Sequence, residues 1–205
     1  MSLMTTRALE TREKLIAAAR TGFMAKGYAD TGTADILRTA QVQRGTLYHH
    51  FADKAALLEA VARQLNGEAL LAIANACCDQ PEADGLVTAG LVWLDQLDNP
   101  GYRSVWLRDV PAHLDPRRHE ELALAGFRGW LEQRLTTEMA QARFNIAARP
   151  DLAARMIDAA LAGLAGTSKT RREPLVRDLL GRFTTTPGTQ PGNDYLKLLA
   201  AARGA

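Results

Sequence analysis

Cysteine is scarce in this chain of 205 residues, which holds only Cys77 and Cys78, side by side. Adjacent thiols fit neither a disulfide framework nor metal-ligand spacing, and no histidine or further cysteine lies close in sequence to complete a site. Buried or idle thiols are therefore set against a redox or metal sensor built from the pair. Long apolar runs are also missing. None approaches the ~18 residues a spanning helix requires, and the start lacks the apolar stretch and cleavage site of a secretory signal. A cytoplasmic protein with no membrane partner is expected. The serines Ser2, Ser104 and Ser168 sit in no nucleophile motif, no glycine-rich loop is laid out to cradle phosphate, and no carboxylate or metal constellation stands out. These absences argue against an enzyme and call for no cofactor and no metal. No strand or hairpin pattern appears either.

What is present is helix-forming material. The chain is 47% hydrophobic and 23% charged, enough apolar content for one sizeable core or a small domain joined to a larger one. The net charge of +2 hides an asymmetry: residues 1–64 carry nine Lys/Arg against six Asp/Glu, and the remainder sixteen against seventeen. The basic excess lies at the N-terminal end, a mild pointer to a polyanionic partner. Met1-Ser2-Leu3, ahead of a second methionine at Met4, are set aside from fold reasoning as an added leader.

Ile16, Ala19 and Phe23 mark one face of a helix over residues 7–26, and Gly27 supplies a left-handed stop. Thr33 to Ala40 reads as a short helix with Ile36 and Ala40 on its inner face; Arg44 to Phe51 reads as another, with Leu47 and Phe51 inward. Only Gln41, Val42 and Gln43 separate them, with Val42 as an apolar plug, the spacing a helix-turn-helix requires. Asp53 can cap a longer helix carrying Leu57, Leu58, Val61 and Leu65. Beyond it, residues 84–98, 102–113, 117–145, 151–166 and 172–183 show helical periodicity, broken at Pro81, Pro100-Gly101, Pro116, Pro150 and Gly166-Thr167-Ser168. A loop over Thr184 to Asp194 and a short helix from Tyr195 to Ala202 complete the reading. The fold class is all-α: an N-terminal three-helix helix-turn-helix domain followed by a larger helical domain.

A helix that enters the major groove needs a narrow apolar face to anchor it and an outer face that reaches bases and phosphates. In Arg44–Phe51, Leu47 and Phe51 supply the first, leaving Gln43, Arg44, Thr46, Tyr48 and His49 on or near the groove side. Arg44 suits guanine edges or a phosphate, Gln43 adenine, Thr46 a phosphate or a thymine methyl, and the Tyr48 hydroxyl a phosphate. Gly45 permits close backbone approach. Lys54, at the start of the next helix, joins free N–H groups to a positive side chain. Periodicity alone leaves an ordinary solvated bundle as an open alternative.

The residues Gly27-Tyr28, Thr31, Asp35-Ile36, Val42, Arg44-Gly45-Thr46-Leu47-Tyr48-His49-His50-Phe51, Lys54 and Ala56-Leu57-Leu58 resemble, in register, the DNA-binding region of the tetracycline-repressor-like (TetR) family. The resemblance covers roughly residues 7–65. It implies a DNA-binding domain over 7–53 and a helical ligand-binding and dimerisation domain over 54–205, with 54–71 as the linking helix. It further implies a homodimer on double-stranded, palindromic DNA, released by a small-molecule effector. An activator, a ligand-independent regulator and a helical adaptor that has lost DNA binding are the alternatives. Two positions depart from the family pattern: Gln41 stands where glycine is usual, and Gln43 where a capping serine or threonine is usual. Gln41 is thus expected to hold a backbone angle that glycine takes freely, and Gln43 to cap poorly. Gly32 replaces a family threonine at the start of the second helix, with Thr31 or Thr33 as substitutes for its phosphate contact.

In the larger domain Trp93, Tyr102, Trp106, His113, Phe127 and Trp130 are the candidate pocket residues for an apolar or aromatic effector, with Met139, Arg108 and Arg134 nearby. Plain core filling by the aromatics is the competing reading, and His113 and His119 read as ordinary histidines rather than metal ligands. The small-residue run 159–166, with Ala159, Ala162, Gly163 and Gly166 named, is the candidate dimer contact, against packing within one chain. The helix 172–183 would share that interface.

Overall fold

The computed structural model describes residues 3–78, 82–140 and 149–181, and among them every regular element is a helix. In order these are α1 (Leu3–Lys26), α2 (Thr33–Ala40), α3 (Arg44–His50), α4 (Lys54–Cys77), α5 (Glu82–Asp98), α6 (Pro100–Ser104), a π-helical turn (Val105–Asp109), α7 (Val110–His113), α8 (Pro116–Leu124), α9 (Phe127–Ala140), α10 (Pro150–Gly163) and α11 (Lys169–Gly181). The expected break at Pro81, the loop 184–194 and the helix 195–202 lie outside the described residues.

Helix α1 stops where expected, because Gly27 adopts φ +86° and its N–H closes the last turn on the Phe23 carbonyl at 2.9 Å. Leu15, Ile16, Ala19 and Phe23 are buried beneath α2 and α4. Asp53 caps α4 as predicted, its carboxylate accepting the Ala56 N–H at 2.7 Å. Helix α4 runs on to Cys77, six residues past the anticipated linking segment, since Ala69 and Ile73 continue its buried face. It packs against α1 at one end and α5, α8 and α9 further along, so one apolar core runs without interruption from Leu15 to Leu180.

The single helix expected over 117–145 is instead two, turned at Ala125-Gly126. The cause lies on α4: buried Asn66 donates from Nδ2 to the Leu122 carbonyl at 2.8 Å, taking over a carbonyl at the end of α8. A Cβ on Gly126 would stand 2.7 Å from the Asn66 amide, so only glycine fits that turn. Residues 141–145 of that expected helix are not described. The segment expected as one helix over 102–113 widens into a π turn, in which the Val110 N–H reaches the Val105 carbonyl. Pro111 has no N–H to offer the Leu107 carbonyl, which loosens the preceding turn.

Helix α11 is fastened to α5 by an almost completely buried Arg172, which donates to Asp98 Oδ1 at 2.6 Å and also to Asp95. On the outer face of α10, Leu152 and Met156 are 49% and 65% exposed, and Ala159, Ala160 and Gly163 continue the same stripe. Leu175 of α11 is exposed as well.

Candidate DNA-binding surface

Helices α2 and α3 are joined by Gln41, Val42 and Gln43. The turn is closed by the N–H groups of Gln41 and Val42, which donate to the carbonyls of Arg38 at 3.3 Å and Leu37 at 3.1 Å. Gln41 sits at φ +56°, ψ +42°, the left-handed conformation expected there, and is the one described non-glycine residue with positive φ. Gln43 occupies the N-cap of α3 in extended conformation and its side chain caps nothing. Gly32 likewise caps α2 without a side-chain bond.

Helix α3 divides cleanly. Leu47 is 3% and Phe51 4% exposed, locked into the small core with Ile36 and Ala40. Gln43, Arg44, Gly45, Tyr48 and His49 are exposed and Thr46 is half-buried. The His49 and His50 rings meet edge to face at 5.4 Å at the end of the helix. Behind α3, the Arg12 guanidinium lies over the Phe51 ring, 5.1 Å from its centre, and ties α1 to the end of α3. Thr33 is half-buried at the first position of α2. Thr31 is 2% exposed and its hydroxyl donates to the Gly27 carbonyl at 2.7 Å, so burial removes it from any phosphate contact.

Lys54 is turned inward. Its ammonium donates to the Tyr28 carbonyl and lies 4.1 Å from the centre of the Tyr28 ring. Burial lowers its pKa, partly opposed by Asp30 and Asp109. The backbone N–H of Tyr28 donates to Asp109 Oδ2 at 3.1 Å, Asp109 pairs with Arg108 at 3.0 Å, and His113 stacks on the Tyr28 ring at 4.2 Å. Sequence reading missed this junction. It also separates His113 from the aromatic residues with which it had been grouped.

Those aromatics do gather. Trp93, 1% exposed, stacks on Phe127 at 5.0 Å and takes Tyr102 and Trp106 edge-on at 5.9 and 6.0 Å; Phe127 stacks in turn on Trp130 at 6.1 Å. Trp130, at the margin, lines a surface cavity of about 210 Å³ with Gln133, Arg134 and Thr137. Within the cluster, Trp93 Nε1 and the hydroxyls of Tyr102 and Ser104 are buried without a hydrogen-bond partner among the described residues. Burial, then the charges of Glu68 and Asp158, push the Tyr102 phenol well above its usual pKa. Burial also raises the Asp158 carboxyl to about 6, against the attraction of Arg128. Of the small residues singled out, Ala159 and Gly163 lie on the exposed stripe and Ala162 is half-buried. Gly166 falls beyond α10 in a left-handed turn against Arg103. Cys77 and Cys78 are thiols and not a disulfide, the first donating to the Gly85 carbonyl at 3.3 Å with its pKa raised by burial. Among the described residues no group of His, Cys, Asp and Glu is placed to hold a metal ion, and no helix is long and apolar enough to cross a membrane.

Residues 15–61 match the family model described as bacterial regulatory proteins, tetR family. A tetR-family transcriptional regulator from Pectobacterium atrosepticum shares the fold over 91% of this chain and 100% of its own, with a TM-score of 0.68 and 25% identity. The segment 15–61 is thus a tetR-family DNA-binding domain by its sequence. A tetR-like regulator from Shewanella sp. PV-4 superposes with a TM-score of 0.70 over 86% of this chain and 99% of its own, at 17% identity, which speaks to fold alone. The HTH-type transcriptional regulator TtgR of Pseudomonas putida is 44% identical over 59 residues, 29% of this chain. UidR of Escherichia coli, also named an HTH-type transcriptional regulator, is 37% identical over 70 residues, 34% of this chain. These matches span 28% and 36% of the relatives' own lengths. The tetR-family likeness in sequence is thus concentrated around α1–α4, where the helix-turn-helix lies.

Proposed function

We propose that this chain is a dimeric, sequence-specific transcriptional regulator acting in the cytoplasm, a repressor released from a palindromic operator by a small molecule. The observation that carries the reading is the division of α3, with Leu47 in the core and Gln43, Arg44, Tyr48 and His49 presented outward. Residues 7–53 form the DNA-reading unit and the remainder, from α4 onward, the effector and dimer unit. Arg44 and Gln43 read base edges, while Thr46, Tyr48, Gly45 and the start of α2 at Thr33 hold the phosphates. Lys54 serves mainly to anchor α4 to Tyr28, because its ammonium is already engaged.

Dimerisation through the α10 stripe, with Ala159, Ala162 and Gly163 at its small-residue end, would pair two α3 helices across about one turn of DNA. Release needs a route from effector to spacing. Trp106 touches the aromatic cluster from one side of the π turn, and Asp109 at its end holds the Tyr28 N–H. An effector that parts the cluster shifts the turn, and Tyr28 passes the shift to Lys54 and α4. A coupling of ~1–3 kcal/mol weakens DNA binding about 5- to 150-fold.

The test is a gel shift at several salt concentrations on DNA flanking the chain's own gene. Binding to a palindrome over random DNA supports the reading; equal affinity for both at every salt concentration contradicts it.

A further inference from the structure

Helix α3 is held chiefly at its far end. Its N-cap residue Gln43 makes no side-chain bond, and the hydrogen bonds from Gln41 and Val42 that close the preceding turn return to α2. The fastening lies at the other end, where Leu47 and the C-cap residue Phe51 are buried and the Phe51 N–H closes the last turn on the Leu47 carbonyl at 2.8 Å. A cation from another element is laid on this anchor. Arg12 of α1 places its guanidinium 5.1 Å from the centre of the Phe51 ring. Its ion pair is a loose one with its neighbour Glu13, at 3.7 Å between side chains that are 42% and 64% exposed. Arg12 itself stands on a firm base, because Leu15 and Ile16, one turn further along α1, are buried.

We propose that Arg12 is a positioning residue for sequence readout: laid over Phe51, it fixes the tilt of α3 and so sets where Gln43 and Arg44 meet the base edges. The proposal rests on the reading of α3 as the DNA-reading helix. A guanidinium over an aromatic face is held by the ring's electron density and by its own flat shape. Helix α3 spans about 10 Å, and a tilt of about 10° about its Phe51 end carries the start of the helix roughly 2 Å sideways. Hydrogen bonds to base edges form only over about 2.7–3.2 Å and are lost by such a shift, whereas the diffuse attraction to phosphates survives it. Arg12 therefore acts on specific binding and leaves random-sequence binding little changed.

The test titrates the full chain, Arg12→Ala, Phe51→Leu and the double variant against operator and random-sequence duplexes at several salt concentrations. Arg12→Ala should lower the operator-to-random affinity ratio about tenfold, the loss of one cation–ring contact in each half of a dimer. The dependence of affinity on salt should stay as it is. Phe51→Leu keeps an apolar filler but removes the ring face, so in its background Arg12→Ala should change the ratio by no more than about twofold. A ratio that Arg12→Ala leaves intact overturns the proposal, as does a tenfold loss that persists beside Phe51→Leu. An equal loss on both duplexes, with the salt slope reduced by about one ion per protomer, overturns it too and makes Arg12 a phosphate contact. Amide hydrogen exchange on the DNA-free chain needs no change at Phe51 and covers the case in which Phe51→Leu does not fold. In Arg12→Ala the N–H groups of Tyr48 to Phe51 should exchange faster while those of Leu57 to Leu65 in α4 keep their protection; unchanged exchange in α3, or equal loosening of both helices, overturns the proposal. An unaltered chain that prefers no operator removes the regulator and this reading with it, whereas operator preference that survives Arg12→Ala removes this reading alone.

Discussion

Two buried hydroxyls, Thr31 beside the helix-turn-helix and Tyr102 in the aromatic cluster, are treated in opposite ways. Thr31 is 2% exposed and spends its proton on the Gly27 carbonyl at 2.7 Å; Tyr102 is 4% exposed and its hydroxyl has no partner among the described residues. The difference extends to their surroundings. Around α2 and α3 the apolar side chains are sealed and the outward polar residues face solvent, as a surface built to meet one fixed partner requires. Around Trp93 the indole Nε1 and the Tyr102 hydroxyl find no partner among the described residues.

The comparison can be broken in several places. Leu47→Ala removes the anchor of α3, and a loss of about 2–5 kcal/mol is expected in urea unfolding, the largest effect named here. A loss well under 1 kcal/mol would mean that α3 is not held by the core. Thr31→Val should cost roughly 1 kcal/mol by orphaning the Gly27 carbonyl, whereas Tyr102→Phe should be neutral or stabilising because it discards an unsatisfied group. Opposite signs in thermal unfolding sharpen the contrast; equal losses erase it. Gln41→Gly should add a few tenths of a kcal/mol, the relief of a left-handed side chain offset by a floppier unfolded chain. A drop in melting temperature would show that the Gln41 side chain contributes something the turn geometry does not reveal.

Much of the N-terminal region was legible because its signals are local. Ile36 and Ala40, like Leu47 and Phe51, lie four apart on single short helices, and the cap at Asp53 needs only its own neighbours. The departure at Gln41 pointed to the backbone angle that the turn adopts. What escaped depends on residues distant in sequence. Lys54 turns inward because the Tyr28 carbonyl, 26 residues away, awaits it. The break after α8 is set by Asn66, and the placement of His113 by Tyr28. The aromatic spacing in the larger region predicted buried helices equally well as packing or as pocket. The polar atoms of Trp93 and Tyr102 that lack a partner among the described residues are displayed by no periodicity.

The central claim, that α3 reads DNA and does not merely complete a bundle, is tested most directly by Arg44→Ala measured twice, on the operator and by sedimentation. Losing this contact in both halves of a dimer should weaken specific binding on the order of 100-fold or more, with random-sequence affinity reduced much less and the dimer intact. Unchanged operator affinity, or dissociation into monomers, would contradict it.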